Sequence, residues 1–522
     1  MAHTLNLTLT PRQAASEEQW LPIALRQIGC PRSRLALARV VKRSVDARHR
    51  TPKVLMTVEI YIDGEELPPP VHFDYPNVEH SREVIIVGGG PAGLFAALRF
   101  IELGLRPIVL ERGKEVGERK KDIARIGRGG EIDPNSNYAF GEGGAGTFSD
   151  GKLFTRSKKR GDYNRALQAL VFHGAQPEIL YEARPHIGTD RLPRIIENVR
   201  RTIRECGGAV LFGARVSRIV VRDGAVRGVE CADGRRFDSE CVVLATGHSA
   251  RDIYYTLHDS GIRIEAKPFA MGVRIEHPQE LIDTIQYHSA EWREVLPAAS
   301  YSLVAQVGGR GVYSFCMCPG GVIVPAMTDS AECVVNGMSS SARGSRWANS
   351  GIVTEIREED YGYLRAEWGE LAALRYQQEM ESRARAAGAE GQKAPAQRAT
   401  DFVAHRRSQS VVRTSYTPGV VCGDMWEWMP RVVAESLRGG LLNFDRRMHG
   451  FLTSEATLIG VESRTSTPVR IPRDRESLQH TEVRGLYPTG EGAGYAGGII
   501  SAALDGERVA EAAATYLKGI FK

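Results

Sequence analysis

The chain has 522 residues, 42% of them hydrophobic, and a formal net charge of +5, which leaves room for two to four domains with their own cores and makes a globular enzyme the default class. So small a charge neither demands nor excludes an anionic partner, and the lack of any run of about 18 uncharged apolar residues excludes a membrane-spanning helix, so a soluble, unprocessed, cytoplasmic protein is expected. The eight cysteines are scattered, with only Cys316 and Cys318 close together, which fits a reducing compartment, and no metal-ligand pattern stands out.

Residues 1–80 read as a small α+β domain, with a strand over 5–9, helices over 17–27 and 34–45, and a strand over 54–62. Asp63-Gly64 and the Pro68-Pro69-Pro70 run close it. The basic stretches 42–50 and 156–160 read as solvated faces. Aromatic residues do not interleave with the basic ones of this unit, which weighs against a nucleic-acid partner, although an RNA-associated protein that docks through this basic unit is kept as an alternative from another class.

Beyond Ser81 the pattern changes. Val84-Ile85-Ile86-Val87 is a continuous apolar run of the kind found in a parallel strand buried on both faces. Gly88-Gly89-Gly90-Pro91-Ala92-Gly93 follows it directly and opens a helix with Leu94, Ala97, Leu98 and Ile101 on one face. In such a G-x-G-x-x-G motif the first glycine permits the tight turn, the second lets backbone approach a diphosphate, and the third lets helix and strand pack closely. The phosphates sit at the helix N-terminus, where N–H groups and the dipole favour negative charge. A second strand over residues 107–110 ends at Glu111, about 20 residues past the glycines, where an acid binds a ribose 2′-OH and repels a 2′-phosphate.

Residues 140–153 pack glycines 141, 143, 144, 146 and 151 around Thr147, Ser149 and Asp150 and end in Lys152. Successive backbone N–H groups in such a loop form an anion-binding concavity, so it is expected to pass the diphosphate and reach the redox ring. Lys152 is the leading active-site candidate, because a cation beside a redox ring stabilises its reduced form or orients an anionic substrate, with a solvated loop lysine as the alternative. Residues 208–247 read as a strand meander turning at Asp223-Gly224 and Asp233-Gly234.

The middle section, residues 251–474, mixes strands (270–275, 322–324) with a helix over 364–386, and residues 387–398 read as an exposed, mobile loop. Cys316 and Cys318 are expected on one face of a strand, as a redox pair or as two small buried hydrophobes. Asn336, Arg343 and Arg346 lie in a Gly/Ser-rich stretch that reads as surface loop, with a cavity-lining role as the alternative. His186, His248 and His277 read as hydrogen-bonded structural residues.

Two segments resemble parts of two-part FAD-binding domains: residues 242–247, ending Ala245-Thr246-Gly247, and residues 485–494, where Glu491 stands at a position that often holds an aspartate toward the ribityl chain. The helix that follows, over about residues 498–517, has its N-terminus at the flavin end, where its dipole stabilises anionic reduced flavin, and Gly506 allows close packing. With residues 184–191 (RPHIGTDR), 267–275 (KPFAMGVRI), 315–321 (FCMCPGG) and 335–338 (VNGM), the chain resembles the family of uncharacterised FAD-dependent dehydrogenases of bacteria over nearly its whole length, small leading domain included.

That resemblance implies an α/β fold: a Rossmann-type, glutathione-reductase-like FAD-binding domain in two parts (residues 81–250 and 475–522), a mixed α+β substrate or cap domain (251–474) and the N-terminal α+β domain. It implies non-covalent FAD and no particular substrate. The residues expected to hold FAD are Gly88, Gly90, Pro91, Ala92, Gly93, Glu111, Arg112, Gly143, Gly144, Ala145, Gly146, Thr147, Val216, Ala245, Thr246, Gly247, Gly490, Glu491, Gly497, Gly498 and Ile499.

The sequence has no second G-x-G-x-x-G between a strand and a helix, so NADH or NADPH is expected to dock only transiently as reductant. The expected function is an FAD-dependent oxidoreductase, a dehydrogenase or reductase, passing hydride between flavin N5 and a small-molecule substrate. A flavin monooxygenase is the nearest alternative. The oligomeric state is not legible.

Overall fold

The computed structural model describes residues 2–69, 71–155, 161–388 and 391–520, so the basic stretch 156–160 lies outside the described residues. Five parallel strands form the sheet of the nucleotide fold, in the spatial order Leu486–Pro488, Val242–Leu244, Glu83–Val87, Arg106–Leu110, Ala209–Leu211. The chain lays down Arg106–Leu110 and Ala209–Leu211 to one side of Glu83–Val87 and then crosses back to place Val242–Leu244 on the other. Such a reversal opens a crevice at the carboxyl ends of the two strands flanking it. Val87 and Leu244 end there.

The helix Pro91–Glu102 covers one face of this sheet and packs against the C-terminal helix Ile499–Ile520. Gly506 makes that approach feasible: a Cβ on it would lie 2.1 Å from the Ala92 carbonyl oxygen. Three antiparallel strands, Val216–Arg222, Ala225–Cys231 and Arg236–Asp238, form the expected meander.

The middle section centres on a seven-stranded sheet. Its order is Val304–Val307, Arg310–Cys318, Trp347–Ile356, Phe269–Pro278, Thr457–Glu462, Ala394–Arg398, Val420–Cys422, with the helix Arg431–Arg447 packed on one end. The hairpin Gly321–Pro325 with Val335–Ser339 stands beside it.

Three expectations need correction. Residues 34–45 are not helical: Leu35–Asp46 is a strand paired with Lys53–Ile62, which also pairs with His3–Leu9. A register shift between Val40 and Lys42 breaks the alternation, and the strand lies half-buried at the sheet edge, so its period was hidden. Residues 394–398 are no mobile loop but a buried strand, whose small Ala394 and Ala396 fit between two neighbours. The helix expected over 364–386 is broken at Gly369, with φ of +51°, and runs regularly only over Ala372–Ala387. No helix among the described residues is long and apolar enough to cross a membrane.

Candidate functional site

A cavity of about 360 Å³ opens at the strand crossover. Its wall takes in Gly88, Gly90, Pro91, Ala92, Glu111, Arg112, Gly144, Ala145, Gly146, Val216, Ala245, Thr246, Gly247, Gly490, Glu491, Gly497, Gly498 and Ile499. The same wall carries Lys152, Phe315, Cys316, Asn336 and Arg464. Gly93, Gly143, Thr147 and Cys318 stand behind it.

The glycine turn has the geometry a dinucleotide requires. Gly88 has φ of +110°, and a Cβ there would lie 2.4 Å from the Ala245 carbonyl oxygen, so only glycine joins strand to helix at this point. Gly93 is the packing glycine: its Cβ would lie 2.0 Å from the Gly88 oxygen. At Gly90, in contrast, a Cβ would meet nothing nearer than Gly144 Cα at 3.8 Å. The space beside that backbone and the first turn of helix Pro91–Glu102 is therefore open, and the helix dipole makes it suitable for a diphosphate.

Glu111 does more than the sequence showed. Its buried carboxylate accepts the N–H groups of Gly89 (2.8 Å), Gly113 (2.9 Å) and Gly141 (3.0 Å), tying the glycine turn to the loop of residues 140–153. The same residue also lines the cavity wall. Arg112 next to it stacks 4.1 Å over the Phe140 ring and pairs with Asp252 at 2.9 Å.

The glycine-rich loop hangs on Arg119, a residue that sequence reasoning missed. Fully buried, its guanidinium donates to the carbonyls of Asn137, Tyr138, Gly141, Glu142 and Gly144. Burial lowers its pKa to about 10, so the charge persists at neutral pH. In a trans peptide the N–H opposes its C=O, so the Ala145 N–H points away from Arg119.

At the far end of the cavity wall, Glu491 accepts the Gly498 N–H, and its carboxylate lies 3.6 Å from His248 Nε2. Burial raises the pKa of Glu491 and, with Arg464 and Arg251 nearby, pushes His248 down to about 4, so that imidazole is neutral. Asp505 of the C-terminal helix, also missed, fixes this turn by accepting Gly490 N at 2.9 Å and Thr489 Oγ1 at 2.8 Å.

Lys152 is held, not solvated. Gly151–Leu153 pairs with the backbone at residues 185–187, which explains the RPHIGTDR segment: Ile187 N bonds Gly151 O at 3.1 Å and Leu153 N bonds Pro185 O at 3.0 Å. The Lys152 ammonium donates to the Met317 carbonyl and lies 3.9 Å from Cys316 Sγ. Although burial works against its charge, the Cys316 and Cys318 sulfurs and Asp150 raise its pKa.

The two cysteines do not share one face of a regular strand. Cys316 has φ of +44°, and its ladder with Trp347–Ile356 is interrupted between Phe315 and Cys318. A left-handed non-glycine residue of this kind is disfavoured by roughly 1–2 kcal/mol. The irregularity places Cys316 on the cavity wall and seals Cys318 behind it, where the Cys318 sulfur lies 3.8 Å from Arg274 Nη1.

Arg274, from the KPFAMGVRI segment, is the third missed residue. Fully buried, it pairs with Glu462 at 2.6 Å and donates to Asn349 Oδ1 at 2.5 Å and Asn336 Oδ1 at 3.1 Å. That is why Asn336 lines the cavity and does not lie in a surface loop. Arg343 likewise leaves the surface, pairing with buried Asp150 at 2.6 Å. His186 Nε2 meets the Ser341 carbonyl at 3.1 Å and His277 Nε2 the Phe451 carbonyl at 2.8 Å, the structural roles expected of them.

Arg346 lines a different cavity, of about 650 Å³, with Glu276, His277, Arg293 and Trp347. Between the nucleotide fold and the middle sheet, Arg251 and Arg464 bridge buried Glu381 and Glu332. Against the pull of burial, the two arginines hold Glu381 down to about 2.

Comparison with known proteins agrees with this geometry. Residues 83–121 match the profile of an FAD binding domain, residues 268–465 that of the C-terminal domain of FAD-dependent proteins, and residues 1–61 a domain of unknown function. An uncharacterized protein of Clostridium beijerinckii is 42% identical over 90% of this chain and 91% of its own length. Protein FixC of Salmonella typhi is 27% identical over 38% of the chain and 45% of that protein. The 6-methylpretetramide 4-monooxygenase of Streptomyces rimosus is 32% identical over 32% of the chain and 38% of that enzyme. With a built diphosphate cradle, a two-part FAD fold and a relative matching from end to end, the chain belongs to the family of FAD-dependent proteins that includes the Clostridium protein, and is an FAD-dependent oxidoreductase.

Proposed function

We propose that the protein is a dehydrogenase or reductase in which a small-molecule substrate and FAD meet in the cavity at the strand crossover. One observation carries this reading: the fingerprint residues Gly88 and Gly90, the ribityl candidate Glu491, and Lys152, Cys316 and Asn336 line one cavity between the parallel sheet and the middle sheet. Bound FAD supplies the two-electron chemistry, exchanging a hydride at N5.

The chain's own residues do the rest. Glu111 holds the adenosine ribose, the start of helix Pro91–Glu102 with Gly144 and Ala145 holds the diphosphate, and Glu491 accepts from the ribityl hydroxyls. Lys152, a cation held by the Met317 carbonyl and kept charged by the Cys316 and Cys318 sulfurs and Asp150, stabilises the negative charge that reduction brings or orients an anionic substrate. Residues 251–474 act as the cap that keeps water from the reacting atoms. NADH or NADPH, as electron donor, docks transiently.

Anaerobic addition of NADH and of NADPH to the yellow protein, followed by a screen for metabolites that reoxidise it, tests this reading. Bleaching by a donor and reoxidation by a small molecule support it; a flavin that no donor reduces contradicts it. The partial match to a monooxygenase favours one second reading. Oxygen uptake coupled to hydroxylation of the substrate would select it.

A further inference from the structure

Cys316 and Cys318 sit where neither packing nor the strand alone accounts for them. Cys316 is on the cavity wall beside Lys152, Asn336 and Glu491, while Cys318 is sealed from solvent immediately behind it. The break in the ladder between Phe315 and Cys318, with Cys316 in the left-handed region, brings the two thiols within interaction range, and the Cys318 S–H has the Cys316 carbonyl oxygen 3.3 Å away. Two cations converge on the pair: the Lys152 ammonium 3.9 Å from Cys316 Sγ and the Arg274 guanidinium 3.8 Å from Cys318 Sγ.

Two other buried cysteines provide a contrast. Burial pushes the thiols of Cys241 and Cys333 up to about 12, as expected of small buried hydrophobes. Cys316 shifts the opposite way: the hydrogen bond from Cys318 and the charges of Lys152 and Arg274 outweigh burial and pull its thiol well below the ordinary range. Cys318 moves up, because it keeps the shared proton and is buried. The arrangement is one thiolate open to the cavity with one protonated thiol behind it, the division of roles a reactive dithiol needs.

We propose that Cys316 and Cys318 are a redox-active pair that closes to a disulfide while delivering a hydride equivalent to FAD in the same cavity, and reopens in the reverse reaction. This rests on the reading of the cavity as the FAD site. In the oxidising direction an S–S bond forms between Cys316 and Cys318 and the Cys318 S–H bond breaks. The two electrons released, with the Cys318 proton, are the hydride equivalent that oxidised FAD accepts, so no further oxidant is required.

The test is anaerobic titration of the air-isolated holoprotein with dithionite, paired with alkylation and peptide mass mapping before and after reduction. The proposal predicts about four electron equivalents per FAD in the natural protein, about two in Cys316→Ser and in Cys318→Ser, and a Cys316–Cys318 disulfide mapped only before reduction. The mapping needs no variant, so a substitution that fails to fold does not blunt the test. A protein that holds FAD, takes up about two equivalents and has both thiols free in air overturns the proposal and leaves the flavin reading intact. A protein that forms the disulfide but binds no FAD overturns the transfer to flavin together with the flavin reading.

Discussion

Lys152 and Cys316, 164 positions apart in the chain, meet in the fold with the ammonium 3.9 Å from the sulfur. Only the thiolate of Cys316 reacts with an alkylating agent, so its reactivity holds at high pH and is lost as pH falls through its pKa. Replacing Lys152 by Met removes a charge that lowers that pKa. The midpoint of the alkylation-rate profile at Cys316 should move to higher pH, with the rate near neutrality about tenfold lower, and Lys152→Arg should largely retain it. Profiles that coincide for Lys152→Met and the natural protein would contradict the pairing.

Arg274 and Glu462 form a buried ion pair at 2.6 Å. Removing one partner strands the other's charge, so Arg274→Met should lower stability by ~3–5 kcal/mol, read from denaturant unfolding. Arg274→Met with Glu462→Met should regain a large part of that loss, because no charge is left unpaired. A single variant as stable as the natural protein would show that the pair does not hold the middle sheet.

Gly88→Ala tests the turn itself. With φ of +110° and a Cβ 2.4 Å from the Ala245 oxygen, even a methyl group forces the strand ends apart. A loss of about 3 kcal/mol in unfolding free energy is expected. Unchanged stability would mean the turn relaxes freely.

Two buried glutamates make contributions of defined sign to the pH dependence of stability. Burial raises Glu276 to about 7 despite its hydrogen bonds from Ser415, and burial likewise raises Glu507 to about 7. An unfolded glutamate loses its proton near pH 4.5, so between about 4.5 and 7 each of these two carboxyls binds more proton in the folded state and its contribution falls as pH rises, opposite in sign to that of His248 and His277, which burial lowers to about 4. Each group accounts for ~3 kcal/mol at most. Glu276→Gln should remove that falling contribution, so that its unfolding free energy plotted against pH rises relative to the natural protein's by up to ~3 kcal/mol across the window; parallel profiles for the two proteins would place the titration elsewhere.

The parts of this site legible in the sequence are those built from local pattern. An apolar run, a glycine turn and an amphipathic helix specify the crossover, and Gly506 marked the helix contact. Arg119 and Arg274 were not legible, because an arginine in a helix or strand carries no local sign that its guanidinium will be buried against carbonyls or a carboxylate from distant segments. Segments far apart in the chain turn out to hold one another: residues 140–153 pair with 184–191 through the backbone at Gly151, Leu153, Pro185 and Ile187, and Arg274 of 267–275 reaches Cys316 and Asn336 in 315–321 and 335–338. Leu35–Asp46 was misread for a different reason: a bulged edge strand shows no clean period.

The central claim is that FAD lies against the backbone of Gly90. A Cβ there meets only the Gly144 Cα, at an unstrained 3.8 Å, so Gly90→Val should fold as the natural protein does while blocking the diphosphate. The decisive measurement is a flavin absorbance and fluorescence titration of both proteins with FAD, with thermal unfolding as the control. The account predicts a yellow natural protein that takes up one FAD and a folded, colourless Gly90→Val with affinity reduced at least about a hundredfold, as expected when the diphosphate contacts are lost. Equal FAD binding by the two proteins, or none by the natural one, would contradict it.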